Sequence, residues 1–184
     1  MASLVVMAVL SSCTAAGDGR QKPEPQARLP FRRDCDETVW GKIGRGYRAH
    51  STVVGPLTFV RLPRLAHARR EIRPGRKVFP TKVLVTLRKG HSALVEVPGS
   101  VAAWLRLTYN PEQWAQRGKT LVTTGQRAVQ FVACPHGRGG PGATQFNGGF
   151  LVGRIGCHPL DISIDDRPAR RVVVSFAAGR CNQG

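Results

Sequence analysis

The stretch Leu160-Asp161-Ile162-Ser163-Ile164-Asp165-Asp166-Arg167-Pro168-Ala169-Arg170-Arg171-Val172-Val173-Val174-Ser175-Phe176-Ala177 alternates apolar with polar residues, breaks at Asp166-Arg167-Pro168, and then resumes an apolar run. A period of two puts successive side chains on opposite faces of a strand, and the charged, proline-bearing break reads as a turn, so the segment predicts a β-hairpin. Pairing Ile164 with Val174 also pairs Ile162 with Phe176 and Leu160 with Ala178, which sets all six on one apolar face. The same register puts Cys157 opposite Cys181, and opposed Cα atoms lie about 4.5 to 5.5 Å apart, within disulfide reach. These odd-numbered cysteines face away from the even-numbered core set. Either the bridge lies on the outer face, or Pro159 introduces a bulge that returns Cys157 inward.

Outward from this hairpin, short apolar runs broken by Gly and Pro continue back to Arg33, with no stretch of helical period. Candidate strands are Thr38 to Ile43, Ser51 to Leu62, Val78 to Arg88, Ala93 to Val97, Val101 to Tyr109, Ala128 to Cys134, Thr144 to Val152, Leu160 to Ile164 and Arg171 to Ala177. The spacing predicts an all-β fold, an antiparallel β-sandwich of about seven to nine strands, with a small β-barrel as the alternative. In the run Lys82 to Arg88, Val83, Val85 and Leu87 share one face while Lys82, Thr86 and Arg88 take the other, and only Leu84 breaks the alternation. Two glycines in Gln145-Phe146-Asn147-Gly148-Gly149-Phe150 mark a bulge or a close backbone approach, with Phe146 and Phe150 as core anchors around it.

At the other end of the chain, Met1 to Leu10 is an apolar run without charge, too short to span a bilayer, which takes roughly 20 residues. It closes on Leu10-Ser11-Ser12-Cys13 and opens into the polar stretch Thr14 to Arg33, rich in Gly, Pro, Gln and charge. Leu10-Ser11-Ser12-Cys13 resembles the lipobox of bacterial lipoprotein precursors, in which Leu and two small residues precede a cysteine. The resemblance implies a diacylglyceryl thioether on Cys13, cleavage before it, and acylation of the new amino terminus. It covers these few residues and implies nothing about the fold of the rest. The expected organisation is a signal-peptide-like leader over 1–12, a lipid-anchored flexible linker over 13–33, and a single disulfide-stapled β domain over 34–184. A flexible linker of this length reaches about 25 Å, enough to hold a domain just off a membrane. Setting Cys13 aside leaves Cys35, Cys134, Cys157 and Cys181. With Cys157 to Cys181 assigned by the ladder, Cys35 to Cys134 follows by elimination. Two bridges imply an oxidising compartment, hence a membrane-anchored, extracytoplasmic place in the cell envelope.

The 184 residues carry 28 Lys and Arg against 11 Asp and Glu, a formal charge of +17, which calls for an anionic neighbour. The densest cluster is Arg61, Arg64, Arg69, Arg70, Arg73, Arg76 and Lys77, opposed only by Glu71 and interrupted by Pro63, Pro74 and Gly75. This segment is the candidate anion-binding site. Export favours anionic lipid headgroups or a phosphate-bearing wall polymer as the partner and disfavours nucleic acid, for which no module fingerprint or aromatic platform is present.

No motif supports a named reaction. Gly118-Lys119-Thr120 lacks the first glycine of a P-loop, since Gln113 holds that position, and neither G-x-S-x-G nor H-E-x-x-H occurs. Cys134, His136, Cys157 and His158 could make a mixed zinc site, but their spacing is wrong and exported thiols oxidise. Copper of the blue type lacks a methionine outside the leader. Asp165-Asp166 reads as a turn, and Gly137 to Gly142 as a connection. No catalytic residue, metal or cofactor is assigned. The principal expectation is a lipid-anchored envelope binding or structural module with a basic surface. One alternative is an exported enzyme assembling His50, His91 or His158 from separate strands, and another is a nucleic-acid binder with a misread N-terminus.

Overall fold

The computed structural model describes residues 29–39, 41–67, 79–112, 124–135 and 142–182. Among them are twelve strands: β1 Phe31–Arg33, β2 Thr52–Val54, β3 Leu57–Phe59, β4 Phe79–Lys82, β5 Val85–Arg88, β6 Ser92–Glu96, β7 Leu105–Leu107, β8 Ala128–Val132, β9 Ala143–Phe146, β10 Gly149–Val152, β11 Gly156–Ile164 and β12 Arg170–Phe176. They form a five-stranded sheet in the order β1-β8-β6-β11-β12, a three-stranded sheet β4-β10-β7, and a four-stranded sheet β2-β3-β5-β9. Every pairing is antiparallel except that of β1 with β8. The fold is a sandwich-like all-β fold, and its sheets do not close into a barrel.

The strand count exceeds the expected range because long apolar runs are cut where the chain turns. Ser51 to Leu62 holds a hairpin, with β2 and β3 joined by Gly55-Pro56 and Gly55 at φ +56°. Val78 to Arg88 is divided into β4 and β5, which belong to different sheets, and Leu84, where the alternation fails, lies in the break. Thr144 to Val152 is divided in the same way at Asn147-Gly148. The two breaks face each other. Gly149 pairs with Lys82 on one side and Phe146 with Val85 on the other, so the register passes round the corner without a residue gained or lost. Val83 N donates to Gly148 O across the bend at 2.8 Å. A strand that bends from one sheet into another is the usual way to build a sandwich corner.

Val101 to Tyr109 yields only β7, after a 3-10 turn at Gly99–Val101. Thr38 to Ile43 forms no strand among its described residues and contributes one ladder-like bond, Val39 N to Gln145 O at 3.0 Å. The linker boundary also moves: Phe31–Arg33 is strand β1, and the Arg33 side chain is buried with Nη1 donating to Tyr109 O at 2.8 Å.

The C-terminal hairpin forms in a different register. Val174 pairs with His158, six residues from the expected Ile164, and Cys157 faces Ser175. The turn decides this. Asp165 and Asp166 both adopt positive φ, +50° and +59°, and Arg167 N donates to Ile164 O at 3.0 Å, which fixes the reversal at this pair. An even shift keeps the faces, so Leu160, Ile162, Val174 and Phe176 remain buried. Ala178 is exposed, because Ala177 at φ +55° turns the chain off the sheet.

Cys157 and Cys181 are bridged with Cα atoms 5.8 Å apart, and Cys35 and Cys134 with Cα atoms 5.3 Å apart. The first bridge therefore forms through the turn after β12 and not through the ladder that suggested it. Cys157 is exposed, so this bridge is on the outer face, and Pro159 stays within β11 without shifting the register. Pro159 lies where β11 has no β6 partner, since that ladder begins at Asp161, so its missing N–H costs nothing there.

The core draws one or more aromatic rings from each sheet. Tyr109 meets Phe131 edge-on at 5.0 Å, Phe131 meets Phe146 at 5.2 Å, and Phe150 meets Phe176 at 5.3 Å. A Cβ on Gly148 would strike the Tyr109 ring, and one on Gly149 would strike the Thr81 carbonyl. Gly149→Ala is therefore expected to cost about 3 kcal/mol or more, because backbone on both sides must move. Urea titration should show this as a lower midpoint, with a milder loss for Gly125→Ala if the corner is the more rigid site.

His158 is also buried, stacked 5.8 Å from Phe176, with Nε2 donating to Arg154 O at 2.9 Å. Burial holds its pKa below the ordinary histidine value, outweighing the carbonyl bond that raises it. The unfolded chain thus takes up this proton at higher pH than the folded one, near pH 6.5. The stability His158 contributes is complete above that pH and is lost as pH falls through the lower folded value. Melting temperature should drop from pH 7.5 to pH 5, and His158→Phe should flatten that part of the profile.

Candidate functional site

Among the described residues, the four-stranded sheet and its flanking turns carry no carboxylate. From Thr38 to Arg70 the sequence has no Asp or Glu, and neither do 79–91 or 142–148, which complete β5 and β9. The basic residues of this layer, Lys42, Arg45, Arg48, Arg61, Arg64, Arg88 and Lys89, are all exposed, as is Lys82 at the end of β4 beside it. Nearly all the acidic residues described lie on or around the five-stranded sheet. There Asp34 pairs with Arg32 at 3.3 Å, Asp161 with Arg171 at 2.8 Å, and Asp165 with His91 at 2.7 Å. The carboxylates, and not the bases, are therefore segregated by layer.

Local chemistry holds the basic groups outward. Gly46, at φ +73°, opens the 3-10 turn Tyr47–His50, and Tyr47 Oη reaches Thr86 Oγ1 at 3.2 Å to tie that turn to β5. Ser51 Oγ donates to Tyr47 O at 2.6 Å and accepts from Arg61 N at 3.1 Å, which joins the two ends of the hairpin. Arg61 sits at φ +59°, a conformation that costs a non-glycine residue on the order of 1 to 3 kcal/mol. In the 3-10 turn Leu62–His67 that follows, Leu62 and Leu65 are buried while Arg64 and His67 are exposed. Ala177 N and Gly179 N donate to Leu65 O and Ala66 O, docking this turn on the end of β12.

Of the seven basic residues named from sequence, Arg61 and Arg64 are in this layer, while Arg69, Arg70, Arg73, Arg76 and Lys77 lie outside the described residues, as does Cys13. Sequence reasoning missed Lys42, Arg45, Arg48, Lys82, Arg88 and Lys89. The available signal was the missing acids and not the density of bases.

The histidines do not converge. His50 is exposed beside the basic hairpin, His158 is buried under β12, and His91 is paired through Nδ1 with Asp165. That pair borders an open groove of about 230 Å³ lined by Ser92, Leu94, Gln130, Ser163, Asp165, Asp166 and Arg167. Asp165 also accepts from Ser92 N at 2.9 Å, and this bond, then His91, holds its carboxyl below the usual range. Both bonds fasten the β11–β12 turn to the start of β6. No serine hydroxyl is bonded to His91 among the described residues. Cys134 and Cys157 sit in separate bridges, which disperses the zinc set weighed from sequence, and no group of three metal-binding side chains occurs among the described residues.

Comparison with known protein families, characterised proteins and solved structures gives no match to this chain. The class is thus defined by its own features: a two-disulfide, sandwich-like β protein, whose bridges fit an oxidising, extracytoplasmic environment.

Arg61 offers a clean separation of stability from charge. Arg61→Gly relieves the positive φ and should leave the melting temperature unchanged or raise stability by up to about 1 kcal/mol, the strain relief being partly offset by glycine entropy. The same variant should bind anionic vesicles more weakly, as read by sedimentation.

Proposed function

We propose that this chain is an exported envelope module, held to the membrane by lipid on Cys13, whose four-stranded layer holds anionic headgroups or a phosphate-bearing wall polymer. The observation that carries this reading is the segregation of carboxylates: one layer presents seven exposed Lys and Arg side chains and, among the described residues, no carboxylate. A basic layer without carboxylates raises the local concentration of anions, while Asp34, Asp161 and Asp165 around the five-stranded sheet are taken up in ion pairs. The lipobox-like Leu10-Ser11-Ser12-Cys13 and the polar stretch after it supply the tether, and the two disulfides fit the compartment. Such contact is electrostatic. Each Arg or Lys near an anionic surface contributes about 1 kcal/mol, and the attraction fades over a Debye length of about 8 Å at physiological salt.

Two measurements test the reading. Cys13→Ser should move the protein from the membrane to the soluble fraction of its host, and mass spectrometry of the unsubstituted protein should find Cys13 acylated; a free thiol there would overturn the anchor. In the unlipidated Cys13→Ser background, changing Arg48, Arg61 and Arg64 to Gln should weaken retention on phosphatidylglycerol vesicles by at most about 3 kcal/mol, roughly a hundredfold. Retention that is insensitive both to this triple substitution and to added salt would sink the surface assignment.

A further inference from the structure

Strand β7 is the edge of the three-stranded sheet, and Leu107 exchanges both backbone bonds with Gln126, at 2.9 and 2.8 Å. In an antiparallel pair, the next opposed residues form a close, non-hydrogen-bonded couple with Cα atoms about 4.5 Å apart and side chains on one face. Here that couple is Arg106 and Arg127. Like charges directly opposite destabilise a sheet unless something sits between them. No carboxylate does so among the described residues.

The donors on this face also lack acceptors. Arg106 Nε, Arg106 Nη1 and Trp104 Nε1 are shielded from solvent, and none has a hydrogen-bond partner among the described residues. Trp104 and Arg106 are two residues apart, so their side chains emerge on the same face. The Gly125 backbone packs so closely against the Arg106 stem that a Cβ there would collide with it. Arg154 lies over the Trp104 ring, 5.2 Å from its centroid, adding a third guanidinium. Arg127 is exposed, and its Nη2 would be 3.7 Å from a Cβ on Gly99. Burial, and then the neighbouring Arg127 charge, hold the Arg106 pKa below its ordinary value.

We propose that Trp104, Arg106 and Arg127 form a binding site for a phosphate-type oxyanion at the edge of the three-stranded sheet. A shielded donor left unmade costs on the order of 1 to 3 kcal/mol, more for a charged group, so three together on one face call for an acceptor. A carboxylate carries one charge and engages a single guanidinium fork. A phosphate carries up to two charges and enough oxygens to meet the Arg106 fork, the indole N–H and Arg127 together. This site is separate from the four-stranded layer, and it does not rest on the lipid anchor.

The test uses the full chain carrying Cys13→Ser, labelled with nitrogen-15 and titrated with inorganic phosphate against sodium chloride at matched ionic strength. Phosphate should shift the Trp104 indole and Arg106 Nε–H resonances saturably, and chloride should not. Arg106→Gln and, independently, the exposed Arg127→Gln should each weaken phosphate affinity at least tenfold with the remaining spectrum unchanged. Arg170→Gln, an exposed position on β12 outside both basic sites, should leave it unchanged. Displacement of phosphate by phosphatidylglycerol vesicles would assign the phosphate to a lipid headgroup, and displacement only by soluble glycerol phosphate would assign it to a free ligand; both sustain the site. Equal responses to phosphate and chloride, or equal losses from Arg170→Gln and Arg127→Gln, would overturn it. Those outcomes leave the four-stranded layer untouched, since its own test is vesicle retention in the Arg48, Arg61 and Arg64 variant.

Discussion

The ribbon formed by residues 79–88 and 143–152 turns a corner with its register intact, and the arrangement of the three sheets follows from that bend. On one side of the corner β4 and β10 build the three-stranded sheet, and on the other β5 and β9 build the four-stranded sheet. Tyr109 holds the joint. Its hydroxyl donates to Val83 O at 3.1 Å, its ring covers Gly148, and its carbonyl accepts from the buried Arg33. Burial raises the Tyr109 pKa far beyond its ordinary value, more than the Arg33 charge lowers it, so the phenol remains a donor. A larger residue at 148 or 149 has no room. The close backbone approach is what lets two strands bend together rather than part.

The sequence made much of this frame legible, and the failures have physical causes. Leu84 interrupts the alternation because the chain changes sheets there, and the paired glycines marked the opposite side of the same corner. Each sign was read on its own run, and nothing local states that the two runs pair. The hairpin was recognised from its period, yet its register was set by two aspartates in left-handed conformations, which an apolar pattern with period two cannot count. An even slip preserves every inward face, so burial alone could not expose the error. Arg33 was taken for linker because a cation beside Pro-rich sequence looks solvated; only the parallel pairing of β1 with β8 takes it inside.

The bridges sit where the pairing is thinnest. β1 has three residues and is the one parallel partner, and Cys35 immediately after it is joined to Cys134 just past β8. Cys181 follows the turn at Ala177 and Gly179, after β12 has ended, and returns that tail to Cys157. Short edge segments bury little surface and so lose chain entropy with small return. Closing loops of about 25 and about 100 residues removes roughly 3.5 and 4.7 kcal/mol of unfolded-state freedom in the chain-entropy model, as upper values. The perimeter is thus held by covalent closure, and the corner by packing.

That division also explains how the surface can carry so much unbalanced charge. Self-repulsion within a basic layer works against the compact state. In the four-stranded layer the opposing force comes from inside: Leu57, Phe59, Val85, Leu87 and Phe146 are fully buried beneath the exposed Arg48, Arg61, Arg64 and Arg88. Burying such side chains contributes about 1.5 to 3 kcal/mol each, whereas exposed like charges separated by more than a Debye length interact weakly. Arg61 shows the balance locally, since its left-handed backbone is held by the Ser51 hydroxyl on one side and by buried Leu62 on the other. The backbone of the basic layer is therefore fixed by the apolar faces under it, while its exposed Arg and Lys side chains keep their rotamer freedom.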